Sequence, residues 1–158
     1  MPAFPEPDDK NLYLVEHVNA LRESFRRYLG RDLLDPNLSE VEAAREAFFA
    51  PFVLLSHDTA ADPLFNYGNK MALALFEMSW QELTVLPSRK SAEVPNRIER
   101  ARLLNEVSSK GYIENYSGVR ISKSGKRFAI AQATVWNLID KNGTYYGQAA
   151  VFDNWEYI

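Results

Sequence analysis

The chain contains no cysteine among its 158 residues, and that gap closes several routes at once. Disulfides, thiolate metal sites, cysteine nucleophiles and cofactors attached through sulfur all need the missing group. The absence fits a reducing compartment, although cysteine-free chains are also secreted. Histidine is nearly as scarce, with only His17 and His57 present. Lone histidines ordinarily make hydrogen bonds, so no metal site is expected. No apolar run approaches the 18 or so residues of a membrane span, and no membrane association is expected. Charge of neither sign dominates; at a net −3 there is no basic footprint for nucleic acid. The first 25 residues carry Glu6, Asp8, Asp9 and Glu16 and no continuous apolar stretch, which speaks against a secretory signal. The expected address is the cytoplasm. A glycine-rich phosphate loop, an HExxH pair and a nucleophile elbow are missing as well.

What is present is globular: 46% hydrophobic and 13% aromatic residues, in a length suited to one domain with a buried core. Three parts are expected. Residues 1–9, with Pro2, Pro5 and Pro7, form a flexible arm, residues 10–50 a helical extension, and residues 51–158 the main domain. Within the extension, Leu14, Val18, Leu21, Phe25, Tyr28 and Leu29 recur every three or four positions, which predicts an amphipathic helix stopped by Gly30. Ser39 and Glu42 have capping-box spacing for a second helix that Pro51 ends.

The main domain reads as α+β. Short strands are predicted at 52–56 and 64–67, then helices at 69–78, 80–83 (capped by Ser79) and 95–110, the last ended by Gly111. Long strands follow at 112–122, 126–139 and 144–153, joined by glycine turns at Ser122–Gly125 and Asp140–Gly143. The middle strand lacks the alternation of a sheet with one wet face. One phase is Phe128, Ile130, Gln132, Thr134, Trp136 and Leu138, and the other is Ala129, Ala131, Ala133, Val135, Asn137 and Ile139. Both faces are therefore expected to be covered. The short helices would cover the first, and the N-terminal helix or a second subunit the alanine phase, which also motivates a homodimer.

The segments Phe65–Asn69, Ala74–Trp80, Leu86–Glu93, Tyr116–Ser122 and Ala133–Asn137 carry a resemblance. The chain resembles the MEKHLA domain family, a branch of the PAS-type sensor fold found as small free-standing bacterial proteins and at the C-terminus of some plant homeodomain transcription factors. The resemblance covers Pro51 to the C-terminus, and the N-terminal helices also look like those of the bacterial members. It implies a PAS-like antiparallel sheet with short helices on one face, and sensing or protein interaction with no settled ligand. PAS-type folds often hold a cofactor between the inner sheet face and the helices. Without cysteine, a covalent flavin adduct and a cysteine-linked bilin are excluded. Non-covalent flavin is disfavoured because Arg120 and Ile130 stand where flavin-binding relatives place asparagines, although Gln148 remains polar. Haem is disfavoured because the helix at 95–110 contains no histidine.

The cofactor thus remains unknown, and the candidate ligand-binding residues follow from chemistry. A guanidinium at Arg120 pointing inward needs a carboxylate or an anionic ligand. Arg89 and Arg97 bracket the loop before the long helix and can converge with it. The competing reading is an ion pair with Glu77, Glu93 or Glu99. Phe65, Phe76, Trp80, Tyr116 and Trp136 are candidates for stacking on a planar ligand, though aromatics at such spacing are commonly plain core. Gln132 and Thr134 are polar positions on the same strand phase. With nothing after the last strand, binding is expected rather than catalysis. The leading function is a sensory module that binds a small anionic or aromatic molecule and signals through protein contacts. One alternative is a ligand-free dimerisation or interaction module. Another is a small cone-fold enzyme of the cyclase or isomerase type using His57 and Asp58.

Overall fold

The structure, a computed structural model, describes residues 4–158. Of the arm expected at 1–9, residues 1–3 lie outside the described residues. From Phe4 onward the chain is folded back on the protein: the Phe4 carbonyl accepts from the Trp80 indole N–H at 2.8 Å, and the Phe4 ring lies 4.9 Å from His17. Reciprocal bonds between Asp8 and Asn11 then set a turn before the first helix.

Helix α1 spans Val15–Leu29 and α2 Glu40–Phe49; Gly30 ends α1 at φ +70°. The Ser39–Glu42 capping box forms, satisfying two backbone N–H groups at the start of α2. Strands β1 (Val53–His57) and β2 (Phe65–Gly68) lead to α3 (Lys70–Phe76) and α4 (Trp80–Leu83). Asn69 joins them. Fully buried, it accepts from Leu54 N and Ala72 N and donates to the carbonyls of Ala47 and Phe52. Every polar atom of that side chain is matched, as a buried amide requires.

Helix α5 spans Val94–Lys110 and is followed by β3 (Tyr112–Ile121), β4 (Arg127–Ile139), β5 (Tyr145–Phe152) and β6 (Asn154–Tyr157). The sheet order is β2-β1-β5-β4-β3, all antiparallel, with β6 also on β4. Strand β6 lies beyond the three long strands expected from the sequence. It continues β5 along the same edge of β4 after a break at Asp153: Val151 pairs with Thr134, and Asn154 with Ala131.

That break reverses the faces expected for the second half of β4. Gln132, opposite it, has φ +57°, and Asn115 on β3 has φ +56°. A single left-handed residue re-aims a strand, so the alternation of faces restarts one residue later. On β4 the inner phase is Phe128 and Ile130 before the slip, then Ala133 and Val135 after it. The slip on β3 is matched, because Ile113 pairs with Val135 whereas Tyr116 pairs with Ala133. Consequently α1 does not cover the alanine phase. It covers Thr134, Trp136 and Leu138. The Trp136 N–H donates to the Leu21 carbonyl at 3.2 Å, Phe25 meets the Trp136 ring edge-on at 5.0 Å, and Ser24 bonds the backbone of Ile139. A helix of the same chain thus closes the outer face of the sheet at Trp136.

Candidate functional site

Against the other sheet face, beneath α5, lies a cavity of about 70 Å³. Leu55, Phe65, Phe76, Leu104, Ile130, Val135 and Phe152 supply its apolar walls, and Ser91, His57, Arg100, Tyr116, Arg120 and Gln148 its polar side. Strand geometry places part of that polar side. Tyr116, Gly118 and Arg120 are two residues apart on β3 and share one face. Gly118 leaves room for its neighbours, since a Cβ there would stand 2.5 Å from the Tyr116 hydroxyl and 3.0 Å from an Arg120 nitrogen. Arg120 is 8% exposed; it donates to the Val119 carbonyl at 2.9 Å and reaches the Tyr116 hydroxyl at 3.4 Å, with its guanidinium 5.7 Å from that ring.

Helix geometry places the second cation. Arg100, Leu103 and Val107 are the buried residues of α5, spaced three and four apart along one stripe. Arg100 is 9% exposed and donates to the Ser88 hydroxyl at 2.5 Å. Burial pushes its pKa down to about 10, and the like charge of Arg120 pushes the same way. Arg100 stays protonated at neutral pH. Among the described residues, neither it nor Arg120 forms an ion pair with a carboxylate. Asp62, whose charge acts on Arg100, is engaged by Arg89 through two bonds of 3.0 and 3.2 Å at the surface.

His57 completes the polar side. Its Nδ1 donates to the Asp58 carbonyl at 2.9 Å, which leaves Nε2, buried and without a partner, as an acceptor. Burial lowers its pKa; the Asp58 carbonyl opposes this, the Arg100 charge adds to it, and the Asp58 charge and the adjacent Gln148 side chain oppose it. Gln148 fastens the helix to the sheet, donating to the Leu104 carbonyl, Ser108 and Asn137, while Asn137 donates to the Val107 carbonyl. On β1 the residue before His57 faces the opposite way. Ser56 donates to Asn66 at 2.5 Å and receives from His17 Nε2 at 2.9 Å. His17 is therefore neutral, with a pKa that burial lowers to about 4.

Of the ten candidate residues, the structure brings Phe65, Phe76, Tyr116 and Arg120 together at the cavity. Six stand elsewhere. Arg89 pairs with Asp62, and Arg97 donates to the Ala92 carbonyl. Trp80 packs on Tyr67 and Phe4, and Gln132 is exposed at the bulge beside Asn154. Thr134 and Trp136 lie on the face under α1, because the slip at Gln132 reverses their phase. Two of the acids offered as Arg120 partners are taken: Glu77 by Ser122, Ser124 and Lys126, and Glu93 by Arg127. Asp58 builds a loop by accepting from Ala60 N and Leu64 N rather than serving His57 as a carboxylate. Arg100 was the residue missed. Its signal was the spacing to Leu103 and Val107, which sets a cation inside an apolar stripe.

The five-stranded path flanked by short helices, with a cavity under the long helix, defines a PAS-like fold of the sensory type. Solved structures agree. A PAS domain of a Colwellia psychrerythraea protein superposes with a TM-score of 0.58 at 15% identity, over 73% of this chain and 92% of that one. The light-state dimer of the fungal blue-light photoreceptor Vivid superposes with a TM-score of 0.55 at 14% identity, over 94% and 95%. Residues 15–157 match the MEKHLA domain, and the chain belongs to that family. A relative is the homeobox-leucine zipper protein ATHB-14 of Arabidopsis thaliana, 26% identical over 100 residues, which are 63% of this chain and 12% of that protein. The matched region is thus about an eighth of the plant relative's length. The family and fold are of sensor type rather than an enzyme class. Among the described residues, no helix is long and apolar enough to cross a membrane.

Proposed function

We propose that this chain is a sensory module that takes a small molecule into the cavity beneath α5 and reports occupancy through protein contacts. The observation that carries the reading is the polar side of that cavity, where two buried guanidiniums and an unpartnered imidazole nitrogen face apolar walls. Buried polar groups are ordinarily matched within the protein, as at Asn69, so an unmatched set facing a void reads as a binding site. The volume of about 70 Å³ is roughly half the ~150 Å³ cavity that admits a benzene-sized guest, so it suits a ligand of few heavy atoms. It favours a small anion over a planar aromatic molecule.

Helix α5 can carry the signal, because it presents Arg100 inward and the exposed Val94 and Ile98 outward. A homodimer is one form of readout, in keeping with the dimer described for Vivid. Native mass spectrometry of freshly purified protein beside its denatured mass tests the reading. Extra mass released on denaturation is the expected result. An adduct-free spectrum, with no small molecule from a cell extract raising the melting temperature, would overturn it in favour of a ligand-free interaction module.

A further inference from the structure

Two buried arginines share the cavity without a carboxylate. One like-charged neighbour beside another is costly in a low-dielectric site, and each guanidinium offers five donors in a planar fork. Arg100 uses one donor on Ser88, and Arg120 reaches only the Val119 carbonyl and, at 3.4 Å, the Tyr116 hydroxyl. An anion between them would satisfy free donors of both and remove the repulsion in one step. The apolar lining, with Phe76, Ile130 and Phe152, offers nothing polar from its side chains. The space is thus amphiphilic as well as small, which suits a planar charged head with a short apolar tail.

We propose that the ligand is a short monocarboxylate of two or three carbons, its carboxylate held between Arg100 and Arg120 and its alkyl end against Phe76, Ile130 and Phe152. This rests on the cavity reading above. Carboxylate geometry matches the guanidinium fork bidentately, which a spherical halide cannot do. The Tyr116 hydroxyl, next to Arg120, can donate to the same head. Arg120 and Arg100 are binding residues here, and Gly118 is a positioning residue that keeps Tyr116 and Arg120 on one face.

Thermal unfolding of the full chain tests the assignment, with sodium acetate, acetamide, sodium chloride and inorganic phosphate compared at matched ionic strength. A ligand that binds only the folded state raises the melting temperature with its concentration. Acetate should do so progressively, whereas acetamide, its neutral isostere, and chloride should not. Arg120→Met should abolish the acetate response, yet melt at or above the unliganded parent, because a like charge has left a buried site. Arg120→Lys keeps the charge without the fork and should weaken the response at least ten-fold. Equal effects of acetamide and acetate would overturn the anion, and equal effects of chloride or phosphate would reduce the site to a general anion site. Persistence of the acetate response in both variants would also overturn the assignment. A neutral adduct in the native mass spectrum would refute the carboxylate while leaving the cavity reading intact. No adduct and no response to any compound would refute both.

Discussion

The two faces of the sheet are completed in different ways. On the outer face α1 lies down on Trp136, where the indole bonds Leu21, Ser24 bonds Ile139 and His17 Nε2 bonds Ser56, although His17 Nδ1 and the neighbouring Tyr67 hydroxyl have no partner; among the described residues no buried cation is left there. On the inner face Gln148 and Asn137 fasten α5 to the sheet, and the cavity beside them leaves two cations without a carboxylate and a histidine nitrogen without a partner. Chain length and composition do not force that difference, since the protein matches buried Asn69 completely. An outer face closed by packing gives stability. An inner face left open at the price of unmatched charge is what a binding site requires, and real proteins concentrate such local inconsistencies at functional sites.

The comparison is broken most severely from the outer side. Trp136→Ala removes the largest fully buried side chain and its bond to α1, and should cost about 3–5 kcal/mol in denaturant unfolding. A loss under about 1 kcal/mol would mean that α1 is not packed as described.

Acid comes next. His17 is neutral when folded and its pKa is lowered from 6.5 to about 4. The unfolded chain therefore binds the proton more readily, and stability falls as pH drops from about 6.5 towards 4. The loss is roughly 3 kcal/mol across that window. His17→Gln, which retains a donor for Ser56, should flatten this part of the pH–stability curve. An unchanged slope in the variant would show that other groups carry it.

The smallest effect sharpens the inner face. Gly118→Ala places a methyl against the Tyr116 hydroxyl and Arg120, which should cost about 1–3 kcal/mol and impair ligand binding beyond that. Full retention of the acetate response would show that the Tyr116–Arg120 arrangement does not matter to the site.

Much of the fold was legible because its local signals are chemical. The Ser39–Glu42 and Ser79–Glu82 spacings became capping boxes, and Gly30 and Gly111 end their helices. Arg120 was legible as a guanidinium that needs an anionic partner if its strand phase points inward. The matched slip at Asn115 and Gln132 was not, because left-handed residues in strands are flagged in a sequence by glycine, and neither is glycine. That hidden slip misassigned Thr134 and Trp136. Strand β6 is short and half polar, with Asn154 and Glu156 exposed, so its pairing with β4 leaves little periodic trace. Arg100 was hidden differently: a charged residue within a polar helix looks solvated until the stripe through Leu103 and Val107 is drawn. The cavity itself is a matter of how far α5 stands from the sheet, and no local pattern encodes that distance.

The most direct test of the account is the nuclear magnetic resonance spectrum of the arginine Nε–H groups during titration with acetate, assigned by Arg100→Lys and Arg120→Lys. The account predicts that the Arg100 and Arg120 resonances shift together and saturate at one shared dissociation constant, while acetamide moves neither. Resonances that stay fixed under acetate, or follow chloride equally well, would contradict the claim that these two cations form a carboxylate site.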